Sequence, residues 1–450
     1  MGKTTTTYAT IKILKEKGFI KKTLVVCPLR PAYNVWPNQC HEWQQFDDLR
    51  VEILHGPNKE AALARDADIY VINPEGLEWL FQPTYATKMD SRGKEMQNKK
   101  AIRGISVVRI AKFDVLVVDE STKFKAYDTN RFALLKATLR HFKRRYILTG
   151  TITPNGLMDL FGQIYILDEG ASLGRYITHY RTKWFYPSGY GGYDWKPQVN
   201  ARDEISKAIA PLVVQFDPGD HLQLPELLPP HDIFVELPPA AREQYKSMET
   251  ELKSKLAAGT IVAANAAVAS GKCRQIANGS LYTEEGSKEF VNVHDEKLDA
   301  LTDLIEELSG EPLLIAYQFK FDAVRIAARL KIPSIGSGSV AADMAVIQAF
   351  RRGELPAVMG HPETISLGLD GLQDSCHNIC WYGLPWNLLH YLQTIDRVRR
   401  QGSRSNTVTL HRIIARGTID EDVLEVLDKK DADQSDFLKL LGKLTQSSVV

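Results

Sequence analysis

Residues 113–122 read Phe113-Asp114-Val115-Leu116-Val117-Val118-Asp119-Glu120-Ser121-Thr122, a short apolar run that passes directly into two adjacent acids. The unbroken aliphatic run Val115–Val118 predicts a strand covered on both faces, the pattern of a parallel sheet. Open α/β sheets bind ligands outside the carboxyl ends of their strands, which puts Asp119 and Glu120 on the ligand-binding edge. The plainer alternative is a strand-end turn with solvated acids.

Further runs of the same kind flank this one. Thr23-Leu24-Val25-Val26-Cys27-Pro28 and Ile69-Tyr70-Val71-Ile72-Asn73-Pro74 are both stopped by proline, and Tyr146-Ile147-Leu148 opens into Thr149-Gly150-Thr151. At the start of the chain, Gly2-Lys3-Thr4 leads into a helical stretch around Tyr8–Leu14. That tripeptide matches the second half of a phosphate-binding loop: the helix N-terminus cradles phosphates, Lys3 reaches the β/γ-phosphates of ATP, and the Thr4 hydroxyl holds Mg²⁺. An ordinary basic N-terminus is the rival reading. With the loop upstream, Asp119 is expected to hold Mg²⁺ through its water shell and Glu120 to polarise an attacking water. Thr149 and Thr151 read as a γ-phosphate sensor and coupler, or as a plain turn. Loop, strands, acid pair and hydroxyl turn in this order predict an α/β fold of the P-loop NTPase kind, a RecA-like domain over residues 1–225.

Two stretches in this half stay open. Lys88, Arg92, Lys94, Lys99, Lys100, Arg103, Arg109 and Lys112 form a basic cluster that either contacts phosphates or is a solvated loop or hairpin. Tyr176, Tyr180, Trp184, Phe185, Tyr186, Tyr190, Tyr193 and Trp195 interleave with Arg175, Arg181 and Lys183. They either stack bases or, the favoured reading, pack a helical and aromatic insert at about 170–200.

Prolines 211, 218, 225, 229, 230, 238 and 239 mark a boundary, with 226–240 read as an extended connection. Residues 241–428 then repeat the α/β logic: helices over 240–256 and 294–309, strands at Pro312–Tyr317, Ala357–Met359 and Asn378–Tyr382, and a turn at Gly368–Gln373. No second Gly-Lys-Thr or strand-end acid pair accompanies them, so this half is expected to close on the first. Residues 429–450 are left as a tail. In Gln393-Thr394-Ile395-Asp396-Arg397-Val398-Arg399-Arg400-Gln401-Gly402, Arg397 and Arg400 share one face of an expected helix start. Cations delivered there would meet the charge that develops on transferring phosphates; a basic phosphate-binding or solvated face is the alternative. Cys376, His377 and Cys380 are read as core rather than as a zinc site.

Lys and Arg total 56 against 55 Asp and Glu, a formal net charge of +1, so any electropositive track must be local. Five cysteines in 450 residues give no disulfide framework and fit a reducing cytoplasm. No apolar stretch approaches the length of a membrane span, and none resembles a signal-peptide core.

Taken together the motifs resemble those of Snf2-type ATPases of helicase superfamily 2, in the compact bacteriophage-like form, over residues 2–428. The resemblance rests on Gly2-Lys3-Thr4, Asp119-Glu120-Ser121-Thr122 with Lys125, Leu148-Thr149-Gly150-Thr151, Lys272-Cys273-Arg274-Gln275, and the Gly368–Gln373 turn. Pro385-Trp386-Asn387, Gln393–Gly402 and Arg416-Gly417-Thr418-Ile419-Asp420-Glu421 complete it. It implies two RecA-like domains, parallel sheets flanked by helices, that hydrolyse ATP between them and step along DNA. It further implies Gln393 near the nucleotide, Arg397 and Arg400 as the paired arginines of the last helicase motif, and Gly371 in the turn joining DNA contact to ATP contact. The chain departs from the family pattern in three places. The phosphate loop lacks its glycine-rich beginning; Ser121-Thr122 stand where Ala-His or Ala-Gln is common; and the Gly368–Gln373 turn is one residue longer, with Ser403 after Gly402.

The expected function is therefore an ATP-dependent DNA translocase, a hydrolase using Mg²⁺-ATP on duplex or branched DNA as a monomeric motor, with replication or recombination proteins as partners. Two alternatives stand beside it: a strand-separating, DEAD/DEAH-like helicase on branched DNA or RNA, and a nucleic-acid-binding scaffold with a degenerate ATPase site.

Overall fold

The structure is a computed structural model describing residues 2–89, 95–188, 194–215, 222–257, 263–284, 286–336, 339–366 and 371–446. The chain forms two compact units, Met1–Phe216 together with Ala432–Val450, and Asp217–Asp431. The sequence alone suggests a boundary at 225 and a tail over 429–450. In the structure Ile419–Gln446 is one helix, and Phe437 and Leu441 on it belong to the core of the first unit.

In the first unit, β1 (Thr23–Val26), β2 (Val51–Ile53), β3 (Ile69–Ile72), β4 (Val115–Asp119) and β5 (Arg144–Leu148) form a parallel sheet in the order β2-β3-β1-β4-β5. Every residue of β1, β3 and β4 is buried. The two-residue period of a strand sends alternate side chains to opposite faces. Leu24, Val26, Tyr70, Ile72, Leu116 and Val118 meet Leu80, Phe132 and Ile164 on one face. Val25, Ile69, Val71, Val115 and Val117 meet Tyr8, Ile11 and Trp36 on the other. Each such buried aliphatic side chain contributes about 1.5–3 kcal/mol of transfer free energy. Cover on both faces is why these strands read as unbroken apolar runs.

The second unit carries β6 (Glu226–Leu227), β7 (His231–Val235), β8 (Leu313–Ala316), β9 (Ser334–Ile335), β10 (Ala357–Gly360), β11 (Asn378–Trp381) and β12 (Thr407–Ala415). Their order is β6-β12-β11-β8-β10-β9, with β7 also on β12, and every pairing is parallel. The proline-rich connection thus supplies two short strands to one sheet edge. Pro225, Pro229 and Pro230 flank those strands, where no ladder hydrogen bond is asked of them. Pro239 then opens the helix Pro239–Ala257, a position where its missing N–H costs nothing.

The basic stretch of the first unit forms an antiparallel ribbon, Thr84–Met89 with Glu95–Gly104. The aromatic insert is the helix Ile177–Trp184 followed by the ribbon Phe185–Ser188 with Asp194–Pro197. No helix among the described residues is long and apolar enough to cross a membrane.

Candidate functional site

The helix Lys3–Glu16 begins at Gly2, which sits in the left-handed region at φ 62° and accepts the Thr6 N–H through its carbonyl at 2.8 Å. Lys3 and Thr4 occupy the first turn, whose N–H groups have no acceptor within the helix and make this end electropositive. The Lys3 ammonium stands 3.9 Å from Glu120 Oε1, and a Cβ placed on Gly150 would come within 3.5 Å of it. Three elements distant in sequence therefore converge: the helix N-terminus, the end of β4 and the turn after β5.

Asp119 is the last residue of β4 and pairs with Leu148 of β5. The buried Trp36 indole N–H donates to its Oδ2 at 3.1 Å, and the Glu120 N–H donates to its Oδ1 at 3.1 Å. Burial raises the proton affinity of Asp119, and the neighbouring Glu120 raises it further; Lys3 and Trp36 pull the other way. Tyr8, on the helix that carries Lys3, donates its hydroxyl to the Trp36 carbonyl. Glu120 is held at φ 55°, ψ 58°, a left-handed conformation that costs a non-glycine residue on the order of 1 kcal/mol. The surrounding contacts maintain it.

Past the acids, the buried Ser121 hydroxyl donates to Gln163 Oε1 at 2.7 Å, and Gln163 Nε2 donates to the carbonyls of Ile152 and Asp159, each at 2.8 Å. Lys125 pairs with Asp159 at 3.3 Å, and the same carboxylate accepts the Asn155 N–H at 2.8 Å. Thr149 and Thr151 close their turn on themselves: the Thr149 hydroxyl donates to the Thr151 carbonyl at 2.9 Å and accepts the Thr151 N–H at 3.1 Å.

In the second unit, Gln393 and Arg397 lie on the helix Leu388–Val398, which buries Leu388, Leu389, Tyr391, Ile395 and Val398. This corrects the expected helix start. Arg397 is in the last turn, and Arg400 lies beyond the C-terminal end, its Nε donating to the Asp396 carbonyl at 3.1 Å. The apolar spacing upstream of Gln393 starts the helix earlier, where the Asn387 side chain caps it, and the helix ends at Val398. Arg397 donates to the Ser366 carbonyl. Gly371 takes φ 92°, with its N–H on Gln373 Oε1 at 3.1 Å. Residues 368–370 of that turn lie outside the described residues.

The Arg416–Glu421 motif proves to be a helix cap and a buried ion pair. Asp420 lies 2.6 Å from the wholly buried Lys297 and accepts the Ala415 N–H at 3.1 Å. Arg242 donates to the Arg416 and Gly417 carbonyls at 2.7 and 3.0 Å. Lys272 and Gln275 bind the backbone of Tyr282, closing the ribbon Ser280–Tyr282 with Phe290–Asn292.

Among the open cations, Lys99 pairs with Glu78 and Arg109 with Glu60, while Arg92 and Lys94 lie outside the described residues. Of the aromatics, Tyr180, Trp184 and Phe185 are buried core, and Tyr176 and Tyr186 are exposed. Tyr190 and Tyr193 lie outside the described residues. Cys376 and Cys380 are buried within the second unit, where burial pushes the Cys376 thiol up to about 12.

Three participants escaped the sequence reading: Trp36, Gln163 and Lys297. Gln163 and Lys297 did leave a signal, each being a polar residue at a core-facing position of a helix.

Comparison with known proteins places these observations in a family. The SNF2-related domain matches residues 1–215. The protein p41 of Acyrthosiphon pisum secondary endosymbiont phage 1 is 31% identical over 98% of this chain and 93% of its own length. The chromatin remodeling factor mit1 of Schizosaccharomyces pombe is 27% identical over 37% of this chain and 11% of its own. The CHD3-type chromatin-remodeling factor PICKLE of Arabidopsis thaliana is 22% identical over 96% of this chain and 31% of its own. A solved structure, the Sulfolobus solfataricus SWI2/SNF2 ATPase core in complex with dsDNA, covers 98% of this chain and 88% of its own, at 20% identity and a TM-score of 0.39.

Proposed function

Because the chain belongs to the SNF2-related family, we propose that it is a DNA-dependent ATPase that converts ATP hydrolysis into movement along duplex DNA. The observation that supports this most is the convergence of Lys3, Asp119 and Glu120 at the carboxyl edge of a parallel sheet. The donor set suits a magnesium nucleotide: a helix N-terminus and an ammonium for phosphate oxygens, with a hydroxyl and a carboxylate for a hard cation. Gly2 and Lys3 would bind the phosphates; Thr4 and Asp119 would hold Mg²⁺, Asp119 through water. Bound there, Mg²⁺ would supply neutralisation of phosphate charge.

Glu120 would orient a water for attack on the γ-phosphorus and take up its proton as the bond to the bridging oxygen breaks, releasing ADP and phosphate. Arg397 and Arg400 would offset the charge that develops on the transferring group, with Gln393 contacting nucleotide. Thr149, Gly150, Thr151, Lys125 and Gly371 would link this chemistry to nucleic acid. Duplex DNA is the favoured track because two relatives are named for remodelling chromatin. The chain spans only 11% and 31% of those two relatives' length, so no other activity of theirs is carried over.

The test is Mg²⁺-dependent ATP hydrolysis by the whole chain with and without duplex DNA. Stimulation of at least about tenfold is expected. A rate indifferent to every nucleic acid overturns the DNA reading, and absence of Mg²⁺-ATP binding overturns the ATPase reading.

A further inference from the structure

Gln163 is fully buried on the helix Leu160–Asp168, among Leu160, Phe161, Ile164, Tyr165 and Ile166. A leucine would fill such a position without an amide to satisfy, and an amide buried without partners is costly. This one has both N–H groups and its oxygen engaged. Its orientation is fixed by chemistry: the Ile152 and Asp159 carbonyls can only accept, so the nitrogen faces them and the oxygen faces the Ser121 hydroxyl.

The segments so joined are the one following the acid pair and the one following the Thr149–Thr151 turn. Two further contacts join them. Lys125 pairs with Asp159, which also fixes the Asn155 N–H. Gly162 lets the helix lie against the Phe124 and Lys125 carbonyls so closely that a Cβ there would fall 2.3 and 2.8 Å from them. The segments 121–125 and 152–163 are therefore joined at three places, through Gln163, Lys125 and the close approach at Gly162. At the edge of the first segment stands Glu120, in a strained backbone conformation that its neighbours must impose.

We propose that Gln163 is a positioning residue that transmits displacement of the Thr149–Thr151 turn to the acid pair through Ser121, so that nucleic acid regulates where Glu120 stands. This rests on the functional reading above and deepens it. An alanine at 121 has no hydroxyl to make the link, so the serine is itself part of the relay. Displacement of a catalytic group by an ångström costs on the order of a hundredfold in rate, so a small shift of Ser121 is enough to switch turnover.

The experiment compares wild type, Ser121→Ala, Gln163→Met and the double variant, as full chains, reading kcat and KM for ATP with and without duplex DNA alongside thermal melting. Methionine keeps the volume of glutamine and removes all three bonds. The ratio of DNA-stimulated to unstimulated kcat is expected to fall about fivefold or more in each single variant. KM for ATP should stay within about twofold, and the double variant should be no worse than the worse single one. Should Gln163→Met lack a cooperative melt, Ser121→Ala decides alone. An unchanged stimulation ratio in a folded variant overturns the relay, as do two kcat values falling in proportion or additive losses. A wild-type chain that hydrolyses ATP equally with and without DNA overturns the functional reading instead, and the relay with it.

Discussion

The Lys3 ammonium faces the Glu120 carboxylate at 3.9 Å, with both side chains part-exposed. At that distance and exposure the pair contributes about 0–1 kcal/mol to the fold and is readily surrendered to a phosphate. Lys3→Met should therefore leave the melting temperature almost unchanged while weakening Mg²⁺-ATP binding at least about tenfold. Nucleotide titration by calorimetry checks this, and wild-type affinity in the variant would remove Lys3 from the phosphate site.

Glu120→Gln keeps the shape of the side chain and deletes its basicity. ATP should still bind, at least as tightly as before, because the partner competing for Lys3 is weakened. Turnover should fall by about 10²–10⁴. Single-turnover hydrolysis with pre-bound nucleotide separates the two effects, and undiminished turnover would strike Glu120 from its role.

Lys297 and Asp420 are both buried and 2.6 Å apart, and Lys297 also donates to Asn278 Oδ1 at 2.9 Å. Lys297→Met leaves a carboxylate in the core without its cation, a loss of about 3–5 kcal/mol. Adding Asp420→Leu to Lys297→Met should recover much of that loss, since the stranded charge is gone. Urea unfolding of both variants reads the difference; equal instability of the two would mean the pair acts through something other than its charges.

Burial holds His294 and His411 down to about 4, with His231 pressing on His411 in the same direction. Both fold as neutral rings, so their contribution is complete above about pH 6.5 and is lost as pH falls toward 4, at about 1.4 kcal/mol per pH unit each. Asp322, wholly buried and pushed up to about 6, acts in the opposite sense below that pH, because the folded state then takes up its proton more readily than the unfolded one. Among these three groups the two histidines outweigh the one aspartate between pH 6 and 4. Urea midpoints should fall from pH 7 to pH 5 in wild type and fall less in a His294→Gln/His411→Gln variant; parallel slopes would exclude the histidines as the cause.

Much of the first sheet was legible because β1, β3 and β4 are inner strands whose apolar runs end at proline or at the acid pair, and because the edge strand β5 opens into the Thr149–Thr151 turn. The edge strand β2, half-buried at all three residues, carries too short a pattern to separate from a loop. In the second unit, β6 and β7 were masked by their prolines, which announce a connection and leave the sheet edge it also builds unstated. Residues that bear chemistry by type, such as Lys3, Asp119 and Glu120, could be found by order and spacing. Trp36 and Gln163 could not, because an indole or an amide becomes a positioning group only through partners 83 and 42 residues away in sequence. The extent of the helix Leu388–Val398 was obscured because the charges of Arg397 and Arg400 suggest a helix start at the place where the helix ends, while the upstream leucines set its beginning.

Phe437 and Leu441 come from beyond the second unit in chain order, yet they sit in the same core as Phe132 and Ile164. During synthesis the first unit thus emerges with part of its hydrophobic interior still untranslated, and it must wait for the last helix before that interior closes. Domains usually mature in the order in which the ribosome releases them; here the unit begun first is also the one finished last. Chaperone dependence of the nascent chain should accordingly persist until residues 432–446 have cleared the exit tunnel.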